Sequence, residues 1–100
     1  MRIAFTDEGW EDFMYWALKE RKQLKRIGNL ITDIKRDPYG GIGKPERLKY
    51  FAANVWSRRI DAEHRLVYAI VTDDDETTAV VMQARYHYSN KYEQERRPAH

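Results

Sequence analysis

The sequence contains no cysteine, which excludes disulfides, thiolate metal sites and a cysteine nucleophile, and makes redox chemistry an unattractive reading. It has no apolar run near the eighteen or more residues that a membrane helix needs. The opening MRIAFTDEGW lacks the basic, apolar, small-residue order of a signal peptide, so a cytoplasmic location is expected. Strong charge of one sign is also missing: 18 Lys and Arg stand against 16 Asp and Glu, for a formal net charge of +2. That total does not by itself imply a polyanionic partner. What remains is one domain of 100 residues, 42% of them apolar, enough for a single core.

The charge is uneven where the total is not. Residues 1–60 hold 13 basic against 8 acidic side chains, and residues 61–100 hold 5 against 8. The basic excess concentrates in the stretch GKPERLKYFAANVWSRRIDAEHRLVY, Gly43 to Tyr68. There Lys44, Arg47, Lys49, Arg58, Arg59 and Arg65 are interleaved with Tyr50, Phe51 and Trp56, a mixture suited to gripping a phosphate chain.

In chain order, Arg2–Phe5 reads as a first strand and Thr6 as the N-cap of a helix with Asp7 and Glu8 in its first turn. Trp10, Phe13, Met14, Ala17 and Leu18 fall on one helical stripe, read here as core. Leu24, Ile27, Ile31 and Ile34 mark a second amphipathic helix, stopped at Asp37-Pro38, and the two are expected to form a hairpin. Tyr39 to Lys44 is glycine-rich but is not a P-loop, because Pro38 and Pro45 stand where that motif needs Gly and Ser or Thr; it reads as a flexible connector. Val55–Ile60, His64–Thr72 and Thr77–Tyr88 read as an antiparallel meander turning at Asp61-Ala62-Glu63 and Asp73–Glu76. The acidic quartet lacks the spacing and glycine of a calcium loop, and no metal or other cofactor is assigned.

RNA can be cleaved without a metal when a protein takes a proton from the 2′-hydroxyl, stabilises charge on the phosphate and protonates the leaving 5′ oxygen. Glu46, Arg65 and His87 supply one candidate for each task. An ordinary glutamate, with a pKa of about 4.3, is ionised at neutral pH, and an ordinary histidine, near about 6.5, is partly protonated. Arginine offers phosphate a planar fork of donors, and Tyr86 and Tyr88 are placed to stack on bases or hold a phosphate. Each residue has a competing structural reading: Glu46 as the start of a helical turn after Pro45, Arg65 as the partner of Glu63 or Asp61, and His87 and His64 as structural groups.

Taken together and in order, GKPERLK, WSRRI, EHRLVY and RYHY resemble the YoeB branch of the RelE superfamily of bacterial toxins. The resemblance extends to Trp10, Tyr15-Trp16, the second helix and Asp37-Pro38, and so spans about residues 1–88. It implies an α+β fold, a helical hairpin packed on a twisted antiparallel β-sheet. It further implies a ribosome-dependent mRNA endonuclease, the toxin of a toxin–antitoxin pair, cutting in the ribosomal A site without a metal, with a YefM-like antitoxin as partner and a homodimer as a possible state. On this resemblance the general base falls on Glu46, the general acid on His87, the phosphate-stabilising arginine on Arg65 and a supporting tyrosine on Tyr88, with Lys49 and Arg59 lining the RNA groove. Arg47 stands where the family has proline, FAANV precedes Trp56 where it has a leucine- and glycine-containing turn, and residues 89–100 form a polar tail beyond the toxin domain at 1–88. A catalytically silent RNA-binding or antitoxin-binding module is the alternative from another class; the joint presence of Glu46, Arg65 and His87 favours the enzyme.

Overall fold

The computed structural model describes residues 1–86. The elements run β1 (Arg2–Phe5), α1 (Asp7–Lys19), α2 (Arg21–Arg36), β2 (Glu46–Arg47), β3 (Val55–Arg59), β4 (Arg65–Asp73) and β5 (Glu76–Gln83). They form one five-stranded sheet in the order β1-β5-β4-β3-β2 with the helices on one face. The expected α+β class is therefore present, and β2 to β5 are antiparallel. β1 adds a parallel edge beside β5, with Arg2 opposite Thr78 and Phe5 opposite Val81. Among the described residues no helix is long and apolar enough to cross a membrane.

Local chemistry sets the helix ends. Thr6 caps α1 by accepting from the Gly9 N–H at 3.0 Å. The single residue Glu20 ends α1 with its backbone N–H and begins α2 with its side chain, which accepts from the Lys22 N–H. Asp37 ends α2, as the following proline requires. Ile27, Leu30 and Ile34 of α2 are fully buried against Leu66, Tyr68 and Ile70 of β4 and Ala79 and Val81 of β5. Each such aliphatic side chain contributes about 1.5–3 kcal/mol.

The apolar stripe expected to bury α1 is not the face that packs. Trp10 is 50% and Leu18 78% exposed, whereas Gly9, Asp12 and Trp16 are buried. The rotation of α1 is fixed by close approach at Gly9, where a Cβ would stand 2.1 Å from the Val81 carbonyl oxygen. Two hydrogen bonds fix it further: the Ala84 N–H donates to Asp12 Oδ2 at 2.9 Å, and Trp16 Nε1 donates to the Ala84 carbonyl at 2.7 Å. Backbone approach and polar satisfaction here outrank the hydrophobic pattern. Phe13 still packs against the core, in a cluster with Phe5 and Trp10.

The glycine-rich segment is not a loose connector. Arg58 is completely buried, and its guanidinium donates to Tyr68 Oη (3.0 Å), Asp33 Oδ2 (2.6 Å) and the carbonyls of Ile42 (3.1 Å), Asp37 (2.6 Å) and Gly40 (2.9 Å). Asp33 also accepts from Arg36 Nε and the Ile42 N–H. Gly41, at φ 115°, has no room for a Cβ beside the Asp33 carboxylate.

Two consequences are measurable. Arg58→Ala leaves a carboxylate and several carbonyls without their donor, and we expect a loss of about 3–5 kcal/mol in urea unfolding, in the range found when one partner of a buried ion pair is removed. The hydrogen bond from Arg36, then those from the Ile42 N–H and Arg58, hold the Asp33 carboxyl far below its ordinary value of 3.8. A depressed carboxylate contributes stability above its unfolded-state pKa that is lost as pH falls below it. The urea midpoint of the wild type should therefore drop as pH falls below about 3.8, and Asp33→Asn should flatten that drop; an unchanged acid slope in the variant would remove Asp33 from the account.

Candidate active site

Strand alternation sorts the basic stretch onto two faces. In β3, Trp56 and Arg58 point to the helices, and Val55, Ser57 and Arg59 point to the open face. Register does the rest. Glu46 pairs with Ser57, Ser57 with Val67, Val67 with Gln83, and Arg59 with Arg65. Glu46, Arg59 and Arg65 thus share the open face at one end of the sheet, with Ser57, Val67 and Gln83 as a buried floor. Next to them Val55, Val67 and Ala69 form a small second core, which Leu48, Phe51, Val80 and Met82 cover in part.

The structure places Glu46 in a strand and leaves it exposed, not at the start of a helical turn. Arg59 and Arg65 are like charges directly opposite one another, an arrangement that costs energy in the free protein. Burial, and after it the Arg59 charge, pulls the Arg65 guanidinium below its ordinary value, and Glu46 and Asp61 offset part of this. An anion between the two arginines would relieve the repulsion. Arg65 Nη1 donates to the carbonyl of Asp61 at 3.1 Å. The Asp61 carboxylate instead accepts from the Glu63 and His64 N–H groups and from Gln23. Burial pushes the Asp61 carboxyl up, but these donors outweigh it and the group lies below its usual range.

Two of the six basic residues leave the candidate groove. Arg58 is the buried hub described above, and Arg47 faces the helix side opposite Trp56, donating to the Leu48 carbonyl. The WSRRI run carried that signal, since two adjacent arginines on one strand must point opposite ways. Lys49 is exposed in the turn after β2. His87 and Tyr88 lie outside the described residues, as does the tail at 89–100. Among the described residues no group of three or more histidine and carboxylate side chains is placed to hold a metal ion.

The chain leaves β5 at Gln83, five residues earlier than the expected strand end at Tyr88. Three distant side chains take over the polar groups of the next residues. Asp12 and Trp16 hold the N–H and carbonyl of Ala84, and His64 Nδ1 accepts from the Tyr86 N–H at 2.7 Å. Gln83 Nε2 donates to the carbonyl of Arg85 at 2.9 Å, and the Arg65 N–H donates to that of Tyr86 at 3.0 Å. The Arg85 guanidinium lies 3.6 Å from the centre of the Tyr15 ring and 4.8 Å from that of Tyr86, so it is packed on aromatics. Nothing local in the sequence marks Asp12, Trp16 or Gln83 for this work, because their partners are fixed by tertiary packing.

Comparison with known proteins identifies the family and the fold. Residues 5–88 match the family model described as the YoeB-like toxin of bacterial type II toxin-antitoxin systems. Toxin YoeB of Streptomyces coelicolor is 58% identical over 88 residues, 88% of this chain and 100% of that protein. The YoeB/ParE toxin from Agrobacterium tumefaciens superposes with a TM-score of 0.81 at 40% identity, covering 88% of this chain and 100% of that one. A YoeB dimer and a YoeB-YefM complex, both from Staphylococcus aureus, are each 38% identical, with TM-scores of 0.74 and 0.72, covering 88% of this chain and 98% of theirs.

Proposed function

Because the chain belongs to the YoeB-like toxins of bacterial type II toxin–antitoxin systems, we propose that it is a ribosome-dependent mRNA endoribonuclease that cleaves by acid and base catalysis. The observation that carries the proposal is the open-face cluster of Glu46, Arg59 and Arg65, in which two arginines stand opposite one another across the β3–β4 pair and a carboxylate lies on the same face. A phosphodiester fits that charge pattern.

In this reading Glu46 accepts the proton of the 2′-hydroxyl, and the 2′ oxygen attacks phosphorus. Arg65 donates to the phosphate oxygens as negative charge builds on them. The P–O5′ bond breaks, His87 gives its proton to the leaving 5′ oxygen, and Tyr88 supports the phosphate. The products are a 2′,3′-cyclic phosphate and a 5′-hydroxyl. Lys49 and Arg59 hold the flanking RNA backbone, contributing salt-dependent affinity. In this reading the ribosome carries the substrate into place in the cytoplasm, and the toxin domain spans about residues 1–88, a span supported by the family match over residues 5–88.

The Staphylococcus aureus structures support two partners, a YefM-like antitoxin and a second copy of the toxin. The exposed Trp10 and Leu18 of α1 offer apolar surface for such contacts.

Three experiments test the catalytic reading. Glu46→Ala and His87→Ala should each abolish cleavage on translating ribosomes while circular dichroism and ribosome binding stay as in the wild type. Wild-type products should carry 2′,3′-cyclic or 3′-phosphate ends, and a 5′-phosphate would rule out attack by the 2′ oxygen. Arg65→Lys retains the charge and discards the fork. Loss of one preorganised donor costs about 3–4 kcal/mol, roughly a hundred- to thousand-fold in rate, so single-turnover cleavage should fall by that factor with little change in binding. Near wild-type cleavage by the lysine variant would make Arg65 a binding residue and would favour the silent RNA-binding alternative for this face.

A further inference from the structure

His64 lies at the turn between β3 and β4, on the residue before Arg65, and its side chain does not enter the open-face groove. Its ring packs edge-on against Trp16 (centres 4.9 Å apart) and lies 5.9 Å from the Tyr86 ring. Nδ1 accepts the Tyr86 N–H at 2.7 Å. A backbone N–H only donates, so Nδ1 presents a lone pair and the ring proton sits on Nε2. Nε2 is 3.8 Å from the Glu63 carboxylate, which favours that tautomer.

Both polar groups of the Tyr86 backbone are thus held by consecutive residues of one strand entry. The His64 ring takes the N–H, and the Arg65 backbone N–H gives to the carbonyl at 3.0 Å. The grip has a purpose that packing alone does not supply. Tyr86 sits at φ 63°, a left-handed conformation that a bulky non-glycine residue holds only when its surroundings impose it. Released, the residue relaxes toward negative φ, and the direction in which the chain leaves it changes. The residue that follows is His87.

We propose that His64 is a positioning residue for the cleavage reaction: by accepting the Tyr86 N–H it holds Tyr86 in its left-handed conformation and so fixes the direction in which the chain leaves Tyr86, the residue that precedes the proposed general acid. This role rests on the reading of His87 as general acid. His64 touches no reacting atom in it.

The test compares the full-length wild type, His64→Ala and His64→Asn for single-turnover mRNA cleavage, ribosome affinity and hydrogen exchange at the Tyr86 amide. An asparagine Oδ1 occupies nearly the place of Nδ1 and accepts the same N–H. Displacement of a catalytic group by about an ångström costs roughly a hundred-fold in rate. That fall is expected for His64→Ala, with ribosome affinity unchanged and the Tyr86 amide unprotected, and asparagine should restore protection and most of the rate. Wild-type cleavage by His64→Ala, equal loss in both variants, or a Tyr86 amide protected alike in all three would overturn the proposal. A wild type that does not cleave overturns the catalytic reading instead, and it is told apart because amide exchange reports the His64–Tyr86 contact without any turnover.

Discussion

A guanidinium without access to water needs every donor satisfied, and at Arg58 that demand organises the molecule. Burying such a charge is costly unless it is paired and hydrogen-bonded throughout. Arg58 meets the cost with Asp33 on α2, the Tyr68 hydroxyl on β4 and three carbonyls of the segment between α2 and β2. Tyr68 passes the network on to the Pro38 carbonyl. One side chain therefore ties the helical layer, the sheet and the glycine-rich loop together. That loop ends at β2, and the Arg59 N–H donates to its Gly43 carbonyl at 2.7 Å. The position of Glu46 on the open face follows from it.

The same strand makes the opposite use of the next residue. Arg58 turns inward and is fully satisfied by the protein, whereas Arg59 turns outward and faces the like charge of Arg65. A single period-two alternation separates the cation that holds the fold from the cations of the open face. A slip of one residue in β3 would exchange them, burying the wrong arginine and unmaking both core and groove.

Much of this was legible in the chain, for reasons that differ from element to element. The ends of the helices were written in Thr6 and Asp37-Pro38, where capping and proline sterics act locally. The meander was written in β-branched runs between acidic turns, and Asp74 and Asp75 indeed adopt the positive φ of a tight hairpin. The rotation of α1 was not legible, because a steric contact at Gly9 and hydrogen bonds from Asp12 and Trp16 to Ala84 decide it, all of them between segments remote in sequence. For the same reason Arg58 read as one more phosphate-binding cation. The candidate site came from motif order, Glu46, Arg65 and His87 each being ambiguous alone; the structure adds that Glu46 and Arg65 share a face with Arg59, and that His64 and Gln83 hold the segment leading to His87.

The parallel edge formed by β1 bears on when the molecule can become whole. Synthesis runs from the N-terminus, yet among the described residues the sheet neighbour of β1 is β5, and Arg2 must wait for Thr78. Contacts this distant in sequence form late and fold slowly. A nascent chain therefore holds its first strand unpaired until β5 has been made and can reach it. The order of synthesis itself keeps this edge of the sheet open until β5 has been made.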